Sequence, residues 1–195
     1  MKIRVGVDFD DTLASSNHAV IAWHNRRYGT DHQVGPGSYL LSQVWQVTRA
    51  VAEERFNEFV DSPYHDKIEL VPFAYDVLKS LRDQCEFFLV TGRMDDTELR
   101  TRTWLNACSP SVFSDLIFAN YFSNDPSRKR NKGEICTSLR LDAFIEDSPG
   151  HADHILTHAE NTRLILLDTI WNRDFIDSRF VRATSWRDVP RLLPL

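Results

Sequence analysis

Short apolar runs recur along this chain, and three of them end on a threonine or a pair of acids. Each is too short for a helix and too continuous for a half-exposed strand, as expected of strands buried on both faces. They predict strands at about 3–8, 86–91, 115–118, 142–146 and 163–167. Helical patterns fill the intervals at 72–84, 96–107, 132–139 and 149–158, with Pro72 suited to a first helical turn and Ser148 to an N-cap. Strand and helix in alternation predict an α/β fold, a parallel sheet flanked by helices. The stretch from 15 to 71 departs from this rhythm. It reads as two helices, 14–28 stopped by Gly29 and 48–60 with Val51, Phe56, Phe59 and Val60 as an apolar stripe, around a turn at Gly35-Pro36-Gly37-Ser38. The expected organisation is a core of residues 1–14 and 72–195 with a small helical insertion, 15–71, after the first strand. The aromatic residues Trp171, Phe175, Phe180 and Trp186 make the last 25 or so residues too apolar for a loose tail.

Composition narrows the function. The 28 acidic residues against 23 Lys and Arg leave a net charge of -5, which disfavours a nucleic-acid polymer as partner but permits a small phosphorylated one. Cys85, Cys108 and Cys136 form no CxxC pair, so neither zinc nor a disulfide framework is suggested. No apolar run is long enough to span a membrane, and the first residues lack a signal-peptide pattern. The expectation is a soluble protein in a reducing, cytoplasmic setting, of open oligomeric state. His151, His154 and His158 share a helical face, but nothing else supports a zinc site there.

The most chemically loaded stretch is Asp8-Phe9-Asp10-Asp11-Thr12. Alternating side chains put Asp8 and Asp10 on one side, about 7 Å apart if the strand stays extended. Paired carboxylates at a strand end repel and resist desolvation, a cost that a divalent cation removes. Magnesium takes hard oxygen ligands and leaves room for a phosphate. These residues therefore suggest the metal and nucleophile site of a phosphate-handling enzyme.

This pentapeptide resembles the first motif, Asp-x-Asp-x-Thr, of the haloacid dehalogenase (HAD) superfamily. Val90-Thr91-Gly92-Arg93 resembles the second motif, Lys132 in Asn131-Lys132-Gly133-Glu134 the third, and Ala143-Phe144-Ile145-Glu146-Asp147 the fourth, all in family order. The resemblance implies a Rossmann-like core, with residues 15–71 as a helical cap. It implies Asp8 as nucleophile forming an aspartyl-phosphate, and Asp10 as general acid and base. Magnesium would be held by Asp8, Asp147 and the main-chain carbonyl of Asp10. Glu146, where the family often has Asp, is expected beside the metal and reaching it through water. Thr91 and the Gly92 amide would bind phosphoryl oxygens, and Lys132 would supply a positive charge, with Lys129 a weaker candidate for that role. Thr12 is expected to close the turn and donate to Asp8. Arg93 is expected either on a substrate oxygen or in a salt bridge with Asp95 or Asp96. Asp11 is read as a local capping acid, and Arg128, Lys129 and Arg130 as a solvated loop.

Asp10, two residues past the nucleophile, favours phosphoryl transfer over dehalogenation, which has no leaving oxygen to protonate. The segment Ile165 to Arg173 and Lys132 to Cys136 resemble the 5′(3′)-deoxyribonucleotidase-like branch, although Ile170 stands where that branch usually has Pro. That branch stacks a base on cap aromatics, for which Tyr39, Trp45 and Phe56 are candidates by position. The expected function is a magnesium-dependent phosphomonoesterase for a small metabolite, with nucleoside monophosphates in view. A silent binding module with this fold, or a phosphatase for a non-nucleotide or macromolecular substrate, stay open as alternatives.

Overall fold

A computed structural model describes residues 2–38, 40–109 and 111–195. Six parallel strands form one sheet in the order β3-β2-β1-β4-β5-β6. They are β1 (Ile3–Val7), β2 (Cys85–Thr91), β3 (Phe113–Phe118), β4 (Ala143–Glu146), β5 (Arg163–Leu167) and β6 (Phe180–Ala183). The first five match the apolar runs of the sequence. The sixth was not expected, because Phe180-Val181-Arg182-Ala183 is short and carries a charge. It pairs with β5 at the sheet edge, where Arg182 reaches Asp168 and Asn172.

The helices are α1 (Ser16–Tyr28), α2 (Leu41–Val44), α3 (Arg49–Asp61), α4 (Ala74–Leu81), α5 (Glu98–Cys108), α6 (Lys132–Leu139), α7 (Pro149–His158) and α8 (Val189–Leu192). Gly29 ends α1 in the left-handed conformation, as a C-terminal glycine should. Ser148 caps α7 by accepting from the His151 amide. Pro72 does not open α4. The helix starts at Ala74, and Phe73, at φ +70°, precedes it as a bend.

Side-chain alternation divides the core between the two faces of the sheet. Phe87, Leu89, Val5 and Val7 pack on one face with Trp104, Phe59 and Trp186. Phe88 and Val90 pack on the other with Phe144, Ile135, Ile155 and Leu166. The helical segment between β1 and β2 contributes Val20, Trp23, Trp45 and Phe59 to the first of these cores. Gly6, in the central strand, is fixed by close approach. A Cβ there would lie 2.3 Å from the Phe144 ring and 2.8 Å from Leu141. Gly6→Ala is expected to cost about 1–3 kcal/mol, read as a lowered midpoint in thermal unfolding.

The chain runs outward from β1 through β2 to β3, then returns to β4 on the other side and continues to β6. The order reverses between β1 and β4. Open α/β sheets bind ligands at the carboxyl ends of strands beside such a reversal.

Candidate active site

Asp8 leaves β1 at this reversal, its amide donating to the Ile145 carbonyl of β4 at 3.0 Å. Its carboxylate meets the Lys132 ammonium at 2.6 Å, and the same ammonium lies 2.8 Å from Glu146. Asn131 caps α6 by accepting from the Gly133 amide, which sets Lys132 in the first turn facing the strand ends. Gly133 is required because a Cβ there would come within 2.4 Å of the His154 carbonyl. Lys132 and Glu146 are fully buried. Burial opposes the charge on Lys132, but the two carboxylates raise its pKa.

Glu146 is turned toward Lys132 and two main-chain amides. One of its oxygens takes Lys132, and the other accepts the amides of Asp147 and Ser148 at 3.3 and 3.0 Å. Burial pushes this acid up, but Lys132 and then His151 hold it down at about 2. The extra methylene of Glu relative to Asp carries its carboxylate back to the lysine, so Glu146 anchors Lys132.

Asp147 is held from the opposite side. Thr12 donates to one carboxylate oxygen at 3.0 Å and the Trp171 indole to the other at 2.9 Å, while the Asn172 amide donates to the Asp147 carbonyl at 2.7 Å. Thr12 therefore serves Asp147 and not Asp8 as expected, because the turn after β1 lays its hydroxyl under the end of β4. Burial, then the charges of Glu146, Asp11 and Asp8, raise the Asp147 pKa. Asp8 is raised by burial and by Glu146, against Lys132. Asp11, at φ +60°, accepts the Asn17 amide at 3.0 Å, the local capping role expected, and burial raises it to about 8.

Three buried acids, Asp8, Glu146 and Asp147, share one buried lysine and so lack positive charge, and their oxygens are of the hard type that magnesium prefers. The donor set therefore fits a divalent cation. Asp8, Glu146 and His151 each bring one donor atom within 4.8 Å of the others. Glu146 is engaged by Lys132, and an imidazole suits magnesium poorly.

Asp10 sits apart from this cluster. Arg93 grips it with Nε at 3.0 Å and Nη2 at 2.7 Å. The other guanidinium nitrogen donates to His65 Nε2 at 2.6 Å, and the cation lies 4.2 Å over the Phe9 ring. His65 therefore presents a lone pair and is neutral, with burial and then Arg93 lowering its pKa to about 4. Burial raises Asp10, but Arg93 outweighs it and the carboxyl is lowered overall. Arg93 thus pairs with neither Asp95 nor Asp96. Arg128 takes Asp95 instead.

Thr91 ends β2 fully buried, its hydroxyl oxygen accepting the Arg93 amide at 3.2 Å. Gly92 follows under Tyr121 and His151, both 3.4 Å from where a Cβ would stand. His151 lies 3.5 Å from Glu146 and packs on Tyr121, whose hydroxyl meets His154. His151 and His154 thus share Tyr121 as a neighbour. Sequence reasoning missed His65 and His151. His65 lies in a short 3-10 turn with no motif, whereas His151, four residues after Asp147, could have been found as a neighbour of the fourth motif.

Arg128, Lys129 and Arg130 are exposed, as expected of a solvated loop, and Lys132 takes the buried position. Trp45 is buried and stacks on His24 at 4.3 Å, and Phe56 packs against Phe59. Trp45 is part of the helical core and offers no free face to a base. Tyr39, the third candidate, lies outside the described residues.

The family model for "5′ nucleotidase, deoxy (Pyrimidine), cytosolic type C protein" matches residues 1–195. A search of curated proteins found no match. Among solved structures, the haloacid dehalogenase-like hydrolase SP0104 from Streptococcus pneumoniae aligns with TM-score 0.68 at 11% identity over 97% of both chains. The HAD-hydrolase YfnB from Bacillus subtilis, bound to magnesium, aligns with TM-score 0.62 at 13% identity, covering 100% of this chain and 99% of its own. CbbY from Rhodobacter sphaeroides, in complex with phosphate, aligns with TM-score 0.64 at 15% identity over 100% of both chains. These structures share the fold, a Rossmann-type sheet of HAD hydrolases, which agrees with the order of the four motifs. The family assignment makes the protein a HAD-type hydrolase of phosphoric monoesters, 5′-nucleotidase-like. The chain belongs to the cytosolic type C 5′-nucleotidase family of the HAD superfamily.

Proposed function

We propose that the protein is a magnesium-dependent phosphomonoesterase of the cytoplasm that hydrolyses a small phosphorylated metabolite, a nucleoside monophosphate, through an aspartyl-phosphate. The observation that carries this reading is the buried Asp8–Lys132 contact of 2.6 Å at the strand reversal, ringed by Asp147 and Glu146. Lys132 holds one oxygen of Asp8, and the second oxygen attacks phosphorus. The new bond is Asp8 O–P, and the bond to the leaving oxygen breaks. A water then attacks the aspartyl-phosphate and returns Asp8 with release of phosphate.

Asp10, protonated from solvent as the entering substrate opens its pair with Arg93, gives that proton to the leaving oxygen and then takes one from that water. Arg93 holds it ionised, the form the second step requires. Arrival of the leaving group loosens this pair for the first step. The Thr91 hydroxyl, the Gly92 amide and Lys132 bind the phosphoryl oxygens. Arg93 acts through Asp10 and Thr12 through Asp147. Asp8, Asp147 and the Asp10 carbonyl would hold magnesium, which would neutralise the crowded oxygens when bound. The helices of residues 15–71 act as a cap on the core formed by 1–14 and 72–195, admitting small substrates and excluding nucleic-acid polymers and proteins.

Phosphate release from nucleoside 5′- and 3′-monophosphates, sugar phosphates and an aryl phosphate, with magnesium and with chelator, tests this reading. Magnesium-dependent release concentrated on nucleotides is expected. Release that persists in chelator removes the metal from the proposal, and a folded protein inert to the whole panel overturns it.

A further inference from the structure

Arg93 holds Asp10, and Arg93 is itself held. A guanidinium carries its N–H donors in a rigid planar fork. Nε and Nη2 face Asp10 at 3.0 and 2.7 Å, and Nη1, the nitrogen that Asp10 leaves unused, donates to His65 Nε2 at 2.6 Å. The Phe9 ring lies against one face of the cation at 4.2 Å.

His65 is fully buried, and its two ring nitrogens are unequal. Nε2 accepts from Arg93, so the ring proton sits on Nδ1. That nitrogen finds no hydrogen-bond partner among the described residues, with the Asp66 carboxylate 3.6 Å away. An unpaired buried donor is a cost that an apolar side chain of similar shape would not carry. Packing against the Phe59 ring, 6.0 Å away between centroids, needs no ring nitrogen. The contact with Arg93 is therefore what a histidine adds at this position.

The short turn that carries His65 is pinned from the core. Arg100 of α5 donates to the Asp61 and Ser62 carbonyls at 2.7 and 3.3 Å and lies 3.6 Å from the Asp66 carboxylate. His65 thus keeps its place against Arg93 without help from Asp10. This independence matters because Asp10 must leave Arg93 and return to it. A guanidinium with Asp10 as its sole polar partner loses its bearing once that pair opens. One that is also anchored by an imidazole stays where the carboxylate can find it again. The anchor has to be neutral, since an acid at this position would compete with Asp10 for the cation.

We propose that His65 is a positioning residue for the acid–base step. By holding Nη1 of Arg93, it fixes the guanidinium against which Asp10 opens and re-forms its pair in each turnover. The proposal rests on the phosphomonoesterase reading and names the residue that sets the geometry of its acid.

Dependence on the leaving group isolates this role. An alkoxide needs the proton that Asp10 gives, whereas nitrophenolate leaves without one. The measurement uses enzyme in excess over substrate, so that only the first transfer to Asp8 is followed. It compares alcohol release from an alkyl phosphate, the nucleoside or sugar phosphate with the fastest turnover, with nitrophenolate release from para-nitrophenyl phosphate. His65→Leu is expected to slow the alcohol by about tenfold or more, part of the roughly 10²–10⁴-fold that proton transfer supplies, and to leave nitrophenolate within about twofold. His65→Gln, whose amide oxygen reaches the place of Nε2, should restore the alcohol rate. His65→Asn, whose shorter amide stops at the place of Nδ1, should not.

Equal slowing of both products, slowing of neither, or no recovery in His65→Gln overturns the positioning role. Release of both products by the unaltered protein then leaves the phosphomonoesterase reading standing. If His65→Leu does not fold, the contrast between His65→Gln and His65→Asn decides on the same terms. An unaltered protein that hydrolyses no alkyl phosphate overturns the role together with the acid it serves, and loss of aryl turnover as well overturns the phosphomonoesterase reading itself.

Discussion

Asp8→Asn is expected to abolish phosphate release, by about 10⁴-fold or more, since loss of a covalent nucleophile removes the step that every later one depends on. The fold should survive. Lys132 keeps its 2.8 Å contact with Glu146. The exchange also removes a charge that burial and Glu146 already disfavour. A thermal midpoint within a few degrees of the parent, with turnover lost, is the expected pair of readings. Substantial hydrolysis by a folded Asp8→Asn protein would assign the nucleophile elsewhere.

Lys132→Met is expected to damage both stability and rate. The ammonium is the positive charge inserted between Asp8 and Glu146, and all three are buried. Removing one member of a buried ion network costs about 3–5 kcal/mol, because the remaining charges stay desolvated. For a chain of this size that corresponds to a fall of about 6–20 °C in the thermal midpoint. The rate should fall by about 10²-fold or more with the loss of a preorganised charge at the phosphoryl group. The double variant Lys132→Met, Glu146→Gln separates the two effects. It removes one stranded carboxylate, so part of the lost stability should return, while the rate should stay low. Recovery of rate in the double variant would make Lys132 a structural residue alone.

The parts of the site that lie at strand ends were legible in the sequence, because each follows an apolar run that the sheet must bury. Asp8 after Val7, Thr91 after Val90 and Asp147 after Glu146 are separated widely in the chain, and the parallel sheet alone brings their ends together. Lys132 was legible from its place before a helical pattern. What was not legible is which partner each group takes. The resemblance placed Arg93 on a substrate oxygen or beside a neighbouring acid, yet the guanidinium reaches Asp10 and His65, 83 and 28 residues away. Such a pairing depends on how a helical segment packs over the sheet, which periodicity does not encode. Thr12 lies under Asp147 for the same kind of reason. Trp45 was ambiguous because an aromatic stripe looks alike whether it faces a ligand or a core. Strand β6 escaped notice because an edge strand has only one neighbour and tolerates charged residues that a central strand excludes.

The buried indole of Trp186 donates to the main-chain carbonyl of Thr12, 174 residues earlier in the sequence, at 2.7 Å. A bond with so long a span closes late, since its loop entropy must first be offset by the elements in between. The turn after β1, already held by the Thr12–Asp147 bond and by the Val71 amide on the Leu13 carbonyl, thus gains this further tie only when residue 186 arrives. During synthesis, a chain interrupted before that point could assemble most of the sheet and would still lack the indole that closes over the Thr12 carbonyl.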